Sequence, residues 1–351
     1  MTTAALPQFE HPIKEPQGLS QRIQWLRDYY FRGTDRNWNN ESIAWTTGTA
    51  WDIQFNEMTF YIVPETYTLM QTLRGSYQQA ARAITLNKDF WNWQQVERRA
   101  WFVKEVMVGY MPKEILPGDL IAGGRFNVQT SLCLDQKEQQ AFDKALLGKN
   151  GARARMKWFH DHGYGNAGAT SGHLIPDHER VLKIGWKGIL AELESKYNQL
   201  SEQDENGSKG AQLKAMMTAA TMPRDLAAGY AEVCLNLADG QTDIHRRGEL
   251  SQMAQNLGRV PWEPARTFWE ALQALWINHM LIMSDENYPG PGVSFGRLDQ
   301  YLLPYWEYSL SHGMEREFGK ELLKCFWVHC NTVYDAMIKN GNQGITAGFG
   351  Q

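Results

Sequence analysis

Apolar residues recur at helical spacing through most of this chain, and only a few short segments break the rhythm. Residues 19–31 place Ile23, Leu26, Tyr30 and Phe31 on one face. Residues 91–108 repeat Trp93, Val96, Ala100, Val103 and Met107, with Glu97 and Arg98 on the polar side. Helices are likewise expected over 58–86, 177–193, 211–237, 265–280 and 315–339, with Pro264 at a first helical position. The trio Trp262, Trp269 and Trp276 recurs every seven residues and is expected to share one packed face.

The breaks in this pattern are informative. Residues 115–124 hold Pro117-Gly118, a short apolar run and a double glycine, which suits a turn leading into a buried strand. Residues 158–172 and 285–294 are rich in glycine and proline and read as loops, and the charged run 201–209 reads as a surface loop. There is no internal repeat and no low-complexity segment.

Composition removes several classes of function. Of the 351 residues, 43% are hydrophobic and 21% charged, and the formal net charge is −4. Basic residues are interleaved with acidic ones, so neither a nucleic acid nor a membrane is an expected partner. No run approaches the ~18 apolar residues of a spanning helix, and residues 1–16 carry no secretory pattern, so the cytoplasm is the expected location. Cys133, Cys234, Cys325 and Cys330 are too scattered for a disulfide framework or a zinc site and read as buried, reduced thiols. Fourteen each of Trp, Tyr and Phe call for a large, well-packed interior.

Four blocks then stand out. They are PGDLIAG at 117–123, GHLIPD at 172–177 with Val181, Leu182 and Gly185 after it, VPWEPARTFWEALQ at 260–273, and SFGRLDQY at 294–301 followed by LLPYW. In content and order they resemble the glycyl radical enzymes related to pyruvate formate-lyase, from about residue 20 onward. The resemblance implies an α/β fold: the N-terminal half of a ten-stranded barrel with a predominantly helical outer layer. It also implies a cysteine thiyl that abstracts hydrogen from a small organic substrate inside a dry interior, and a backbone glycyl radical. That radical would be installed by a separate iron–sulfur activating enzyme using S-adenosylmethionine, with no cofactor bound directly by the chain. Members of the family commonly form homodimers.

One departure limits what the resemblance gives. No cysteine here stands in the family's Gly-Cys-carboxylate context, and the Arg-Val-x-Gly-Tyr glycine loop is absent. The run 343–351 looks like the start of the segment before the cysteine loop. Residues 1–351 are therefore expected to be a partial pyruvate formate-lyase-like domain, from a truncation, a split gene or an incomplete reading frame, without radical activity alone.

The candidate substrate contacts follow from both readings. His173 ends a glycine-rich loop; family members with a histidine there use it on the substrate, and anchoring of the loop is the alternative. His160 and Asp161, with His162 beside them, could bind a carboxylate or move protons, or could belong to a solvated loop. Diol-dehydrating relatives carry a His-Ser pair where this chain has Pro291 and Gly292, which leaves room for a bulkier or anionic substrate. Glu286 and Asn287 remain as polar contacts, while Arg297 and Asp299 read as a buried structural pair. Aromatic richness and the missing polar pair favour C–C cleavage, such as decarboxylation of an aryl- or other acetate. C–S or C–N lysis and addition to fumarate are close alternatives, and a non-catalytic half-barrel that binds or scaffolds is the rival from another class.

Overall fold

The structure is a computed structural model that describes residues 18–27, 85–110, 113, 115–123, 133–164, 174–285 and 293–331. The expected helix at 58–86 and the ends of those at 19–31 and 315–339 lie mostly outside these residues. Among the described residues the architecture is helical, and its β structure is one parallel bridge between Leu174 and Val293.

In chain order the helices are α1 (Gln21–Arg27), α2 (Gln95–Lys104), α3 (Gln136–Leu147), α4 (Ala152–Asp161) and α5 (His178–Tyr197). They continue with α6 (Glu202–Glu205), α7 (Ser208–Gly240), α8 (Ile244–Arg259), α9 (Phe268–Asp285), α10 (Leu298–Ser311) and α11 (Arg316–Asn331). A π-helical turn, Glu105–Tyr110, extends α2. Side-chain caps explain several of the boundaries. Asp135 accepts the amide of Glu138 while Glu138 reaches back to the amide of Asp135, both at 2.8 Å, which starts α3. Asp243 starts α8 by accepting the amide of His245 at 2.9 Å. Ser201 caps the short α6 inside the charged run expected to be a loop.

The core is built around α9. Leu272, Leu275, Trp276 and Ile277 have no exposed surface, so this helix is apolar on nearly all sides and surrounded by others. The long α7 buries small residues on two faces, Ala211 and Ala215 on one and Ala220, Ala227 and Ala238 on the other, which lets neighbouring helices approach closely.

Helix α9 begins later than its periodicity indicates. The expected start at Ala265 with Pro264 in the first turn is displaced to Phe268, because residues 260–265 are used elsewhere. They fill a gap in α5, where Gly185 leaves the helix at φ 66° and ψ 168°. The freed amides of Trp186 and Lys187 donate to the carbonyls of Pro261 and Trp262, each at 3.0 Å. In return the amide of Ala265 donates to Leu182 O at 3.0 Å. A Cβ at position 185 would lie 2.2 Å from Trp262 O, so only glycine fits. Trp262 therefore lies ahead of the helix that carries Trp269 and Trp276, under the guanidinium of Arg224 at 4.8 Å, and does not share their face.

Residues 115–123 are buried as expected: Leu120, Ile121 and Ala122 are fully enclosed. Side chains, and no neighbouring strand among the described residues, satisfy this backbone. Gln273 accepts the amide of Ala122 at 2.8 Å and donates to its carbonyl at 2.7 Å, and Trp269 Nε1 donates to Leu120 O at 2.7 Å. Arg246 donates to Asp119 O at 2.8 Å and to Leu116 O at 3.3 Å. The Asp119 carboxylate meets His329 Nε2 at 2.9 Å. At Gly123, with φ 137°, a Cβ would sit 2.5 Å from the Trp276 ring.

Candidate functional site

The bridge between Leu174 and Val293 places the chain just after His173 beside the chain just after Pro291 and Gly292. The amide of Ser294 closes it by donating to Leu174 O at 3.0 Å. His173, Glu286, Asn287, Pro291 and Gly292 themselves lie outside the described residues. Among the described residues the bridge pairs Leu174, which follows His173 in the sequence, with Val293, which follows Gly292.

Next to the bridge is a cavity of about 470 Å³ between residues 175–179 and the start of α10. Its wall includes Asp177, His178, Phe295, Arg297 and Tyr301. Each polar group has an identifiable state. Asp177 caps α5 by accepting the amide of Arg180 at 3.1 Å. The Tyr301 hydroxyl donates to Phe295 O at 2.8 Å, and burial raises its pKa above the usual phenol range. Burial also pushes the His178 imidazole down to about 4, against a weaker opposing pull from Asp177, so the ring is neutral near pH 7. It lies against the Phe295 ring at 6.0 Å between centroids.

Arg297 and Asp299 are exposed, which corrects the expectation of a buried pair. Asp299 is in the first turn of α10, where a carboxylate is favoured by the helix dipole without a buried partner.

His160 and Asp161 do not sit in a loop. They form the last turn of α4, exposed to solvent. Asp161 pairs with Lys157 at 2.5 Å, and that hydrogen bond lowers its carboxyl pKa. His162 turns back to place Nδ1 2.7 Å from Trp158 O and stacks on the Trp158 ring at 4.3 Å. The pairing of Asp161 is thus with a lysine one turn earlier, where the sequence offered a neighbouring imidazole.

All four cysteines are free and buried, as their spacing indicated. Burial pushes the Cys234 thiol up to about 12 and raises Cys325 as well, so neither is a thiolate near neutral pH. Among the described residues no group of three or more His, Cys, Asp or Glu is placed to hold a metal ion. No described helix is long and apolar enough to cross a membrane.

The interleaved charges of residues 177–180 read as a solvated helix face, and nothing singles out Asn278, yet His178 and Asn278 are both almost wholly buried. His178 carried a signal, as the first helical residue after a capping Asp. Asn278 carried none, being one polar residue in an apolar helix.

Comparison with known proteins agrees with this geometry. The family model described as pyruvate formate lyase-like matches residues 137–349. Isethionate sulfite-lyase from Desulfovibrio desulfuricans is 32% identical over 185 residues, 50% of this chain but 21% of the relative's length. Indoleacetate decarboxylase from Tractidigestivibacter scatoligenes is 47% identical over 104 residues, 29% of this chain and 12% of that enzyme. The chain therefore aligns with about a fifth or less of these curated relatives. A solved structure describing 1,2-propanediol dehydration in Roseburia inulinivorans matches with a TM-score of 0.61 at 20% identity, covering 92% of this chain and 40% of that one. A glycyl radical enzyme from Archaeoglobus fulgidus matches with a TM-score of 0.59 at 19% identity, over 79% of this chain and 39% of the other. These structural likenesses are likenesses of fold. The family match spans well over half of the chain and takes in three of the four blocks, and the chain belongs to the pyruvate formate lyase-like family of glycyl radical enzymes.

Proposed function

We propose that residues 1–351 form the N-terminal part of a glycyl radical lyase that cleaves a C–C bond, with an arylacetate as substrate. The observation that carries this reading is the 47% identity to an indoleacetate decarboxylase over 104 residues. Pro291 and Gly292 support it, because a planar ring fits beside an apolar pair better than a small diol would. The Leu174–Val293 bridge is consistent with it, since these two residues directly follow His173 and Gly292 in the sequence.

In this proposal His173, Glu286 and Asn287 orient the substrate's polar groups, and Pro291 and Gly292 form the wall against its ring. His160 and Asp161, exposed at the end of α4, take no part. The cysteine and glycine loops come from polypeptide outside these 351 residues, since none of the four cysteines has the family's context. A separate S-adenosylmethionine iron–sulfur enzyme supplies the glycyl radical, and the thiyl derived from it abstracts a substrate hydrogen.

A second reading is carried by the 32% match to an isethionate sulfite-lyase over half of the chain, which points to C–S cleavage. One experiment separates the two. The full product of the gene, activated under anoxic conditions, is offered indoleacetate, 4-hydroxyphenylacetate and isethionate in turn. Carbon dioxide and a methylated arene are the expected products. Sulfite from isethionate would establish the second reading, and turnover of none of the three would overturn both.

A further inference from the structure

A second cavity, of about 630 Å³, lies between the exposed side of α8 and the turn that joins α10 to α11. Two glycines make the room. Gly248 of α8 and Gly313 of the turn both line it, and a Cβ added at either would meet nothing within 4 Å. Gly313, at φ 95°, also lets the chain reverse between the two helices. The volume lies in the range of small-molecule sites.

The apolar wall is largely aromatic. Trp269 and Phe318 meet edge to face, with ring centroids 5.3 Å apart, and Met314 and Leu322 lie beside them. Trp269 Nε1 is committed to Leu120 O at 2.7 Å, so the indole presents only carbon to the cavity. Polar atoms deep in the lining are engaged within the protein. Ser309 Oγ accepts the amide of Phe268 at 2.8 Å, Thr267 Oγ1 accepts that of Glu270 at 3.2 Å, and Gln252 Nε2 donates to Asn256 Oδ1 at 2.9 Å. At the rim, the His312 ring stacks on Tyr308 at 3.9 Å.

The fixed charges of the lining are negative. It includes the carboxylates of Glu249 and Glu315 and, among the described residues, neither lysine nor arginine. Glu249 is already held by Arg22 and Arg246, neither of which lines the cavity. Other guanidinium groups near this end of the molecule are engaged elsewhere: Arg266 pairs with Glu270 at 2.8 Å, and Arg316 lies over the Trp306 ring at 5.8 Å. Glu315 is different. It is exposed at the rim and has no ion pair among the described residues, so its carboxylate is within reach of a ligand.

We propose that this cavity binds a small arylalkylammonium ion. The ligand's ring packs against Trp269, Phe318 and Met314, in the edge-to-face manner that aromatic groups favour, and its ammonium reaches Glu315. None of the candidate substrate contacts lines this cavity, and its occupancy is read without activation, so its failure and that of the proposed reaction are distinguishable.

The test titrates the full product of the gene, unactivated, with 2-phenylethylammonium at pH 7.5. The Met314 ε-methyl is followed by NMR, with the resonance assigned through Met314→Leu. 3-Phenylpropionate, of nearly the same shape and opposite charge, is the comparison. A saturable ring-current shift with the ammonium is expected, with the carboxylate binding about tenfold more weakly or not at all. Glu315→Gln should weaken binding about threefold, as suits an exposed ion pair. Gly248→Trp fills the open space from α8 and should abolish the shift with little effect on folding, since its added Cβ meets nothing there. No saturable shift, or equal binding of the carboxylate, would overturn the proposal. Undiminished binding to the Gly248 variant or to the Glu315 variant would do so as well.

Discussion

Gln273 shows how much a single amide side chain can hold in place. Its two ends meet the carbonyl and the amide of Ala122, which is fully buried and out of reach of water. Gln273→Leu removes both partners and strands a buried donor and acceptor, so a loss of about 2–4 kcal/mol in unfolding free energy is expected, measurable by urea denaturation. His178 acts through protonation. Its folded pKa, about 4, lies below the unfolded value of 6.5, so between these values the unfolded chain binds a proton that the folded chain does not. Its contribution is present in full above about pH 6.5 and is lost as pH falls toward 4, to the extent of up to about 3 kcal/mol. The melting temperature of His178→Leu should accordingly drop less between pH 7 and pH 5 than that of the parent chain. An equal drop would mean that other groups carry the acid sensitivity. The sequence marked Gln273 as part of a recognisable block, yet its role depends on a partner 151 residues away, which spacing cannot reveal. Arg297 and Asp299 went the other way: a strong block made them look buried, although an acidic residue in a first helical turn is content in solvent.

At the level of elements, the break in α5 makes a sharp demand. Gly185 holds a backbone conformation open to glycine almost alone, with the carbonyl of Trp262 against the space a Cβ would need. Gly185→Ala is expected to cost about 2–4 kcal/mol. Gly248→Ala, inside α8 with open space around its added Cβ, should be neutral or stabilising by up to about 1 kcal/mol. Thermal denaturation of the pair tests whether the insertion of residues 260–265, and not glycine content as such, sets the requirement. Periodicity located six of the eleven described helices, did not mark α3, α4, α6, α8 or α10, and set several ends three to five residues off; two of these differences have a physical reason. In α9 the stretch before Phe268 was apolar and periodic but already engaged by α5. In α4 the glycines from 163 onward drew the expected loop too far back, although Lys157 and Asp161, an oppositely charged pair one turn apart, already marked a helical turn.

Taken whole, the molecule is tied by buried charge between segments remote in sequence. Arg22 of α1 donates to Glu249 of α8 at 3.1 Å and to the carbonyl of Gly118, Arg246 meets the same carboxylate at 2.9 Å, and Ser20 reaches Glu321 of α11. Removing Glu249 leaves two guanidinium groups buried beside it without their shared counter-charge. Glu249→Ala should therefore destabilise by about 3–5 kcal/mol. It should also release α1 selectively, seen as faster hydrogen exchange in residues 21–27 than elsewhere. Uniform exchange would mean that α1 is held by the packing of Ile23 and Leu26 alone. The helical class and the family were legible because periodicity and short blocks are local properties, whereas these ties are not. The four blocks turn out to be wired to one another: residues 117–123 to 260–273, 260–273 to the break after 177, and 174 to 293. That wiring has a consequence for synthesis on the ribosome. Asp119 and His329 are 210 residues apart, so at about 5–20 residues per second the apolar run 115–123 emerges roughly 10–40 s before the side chain that secures its carboxylate. Within that interval cover arrives stepwise, with Arg246 and then Trp269 and Gln273, and before them the growing chain depends on whatever in the cell shields the segment.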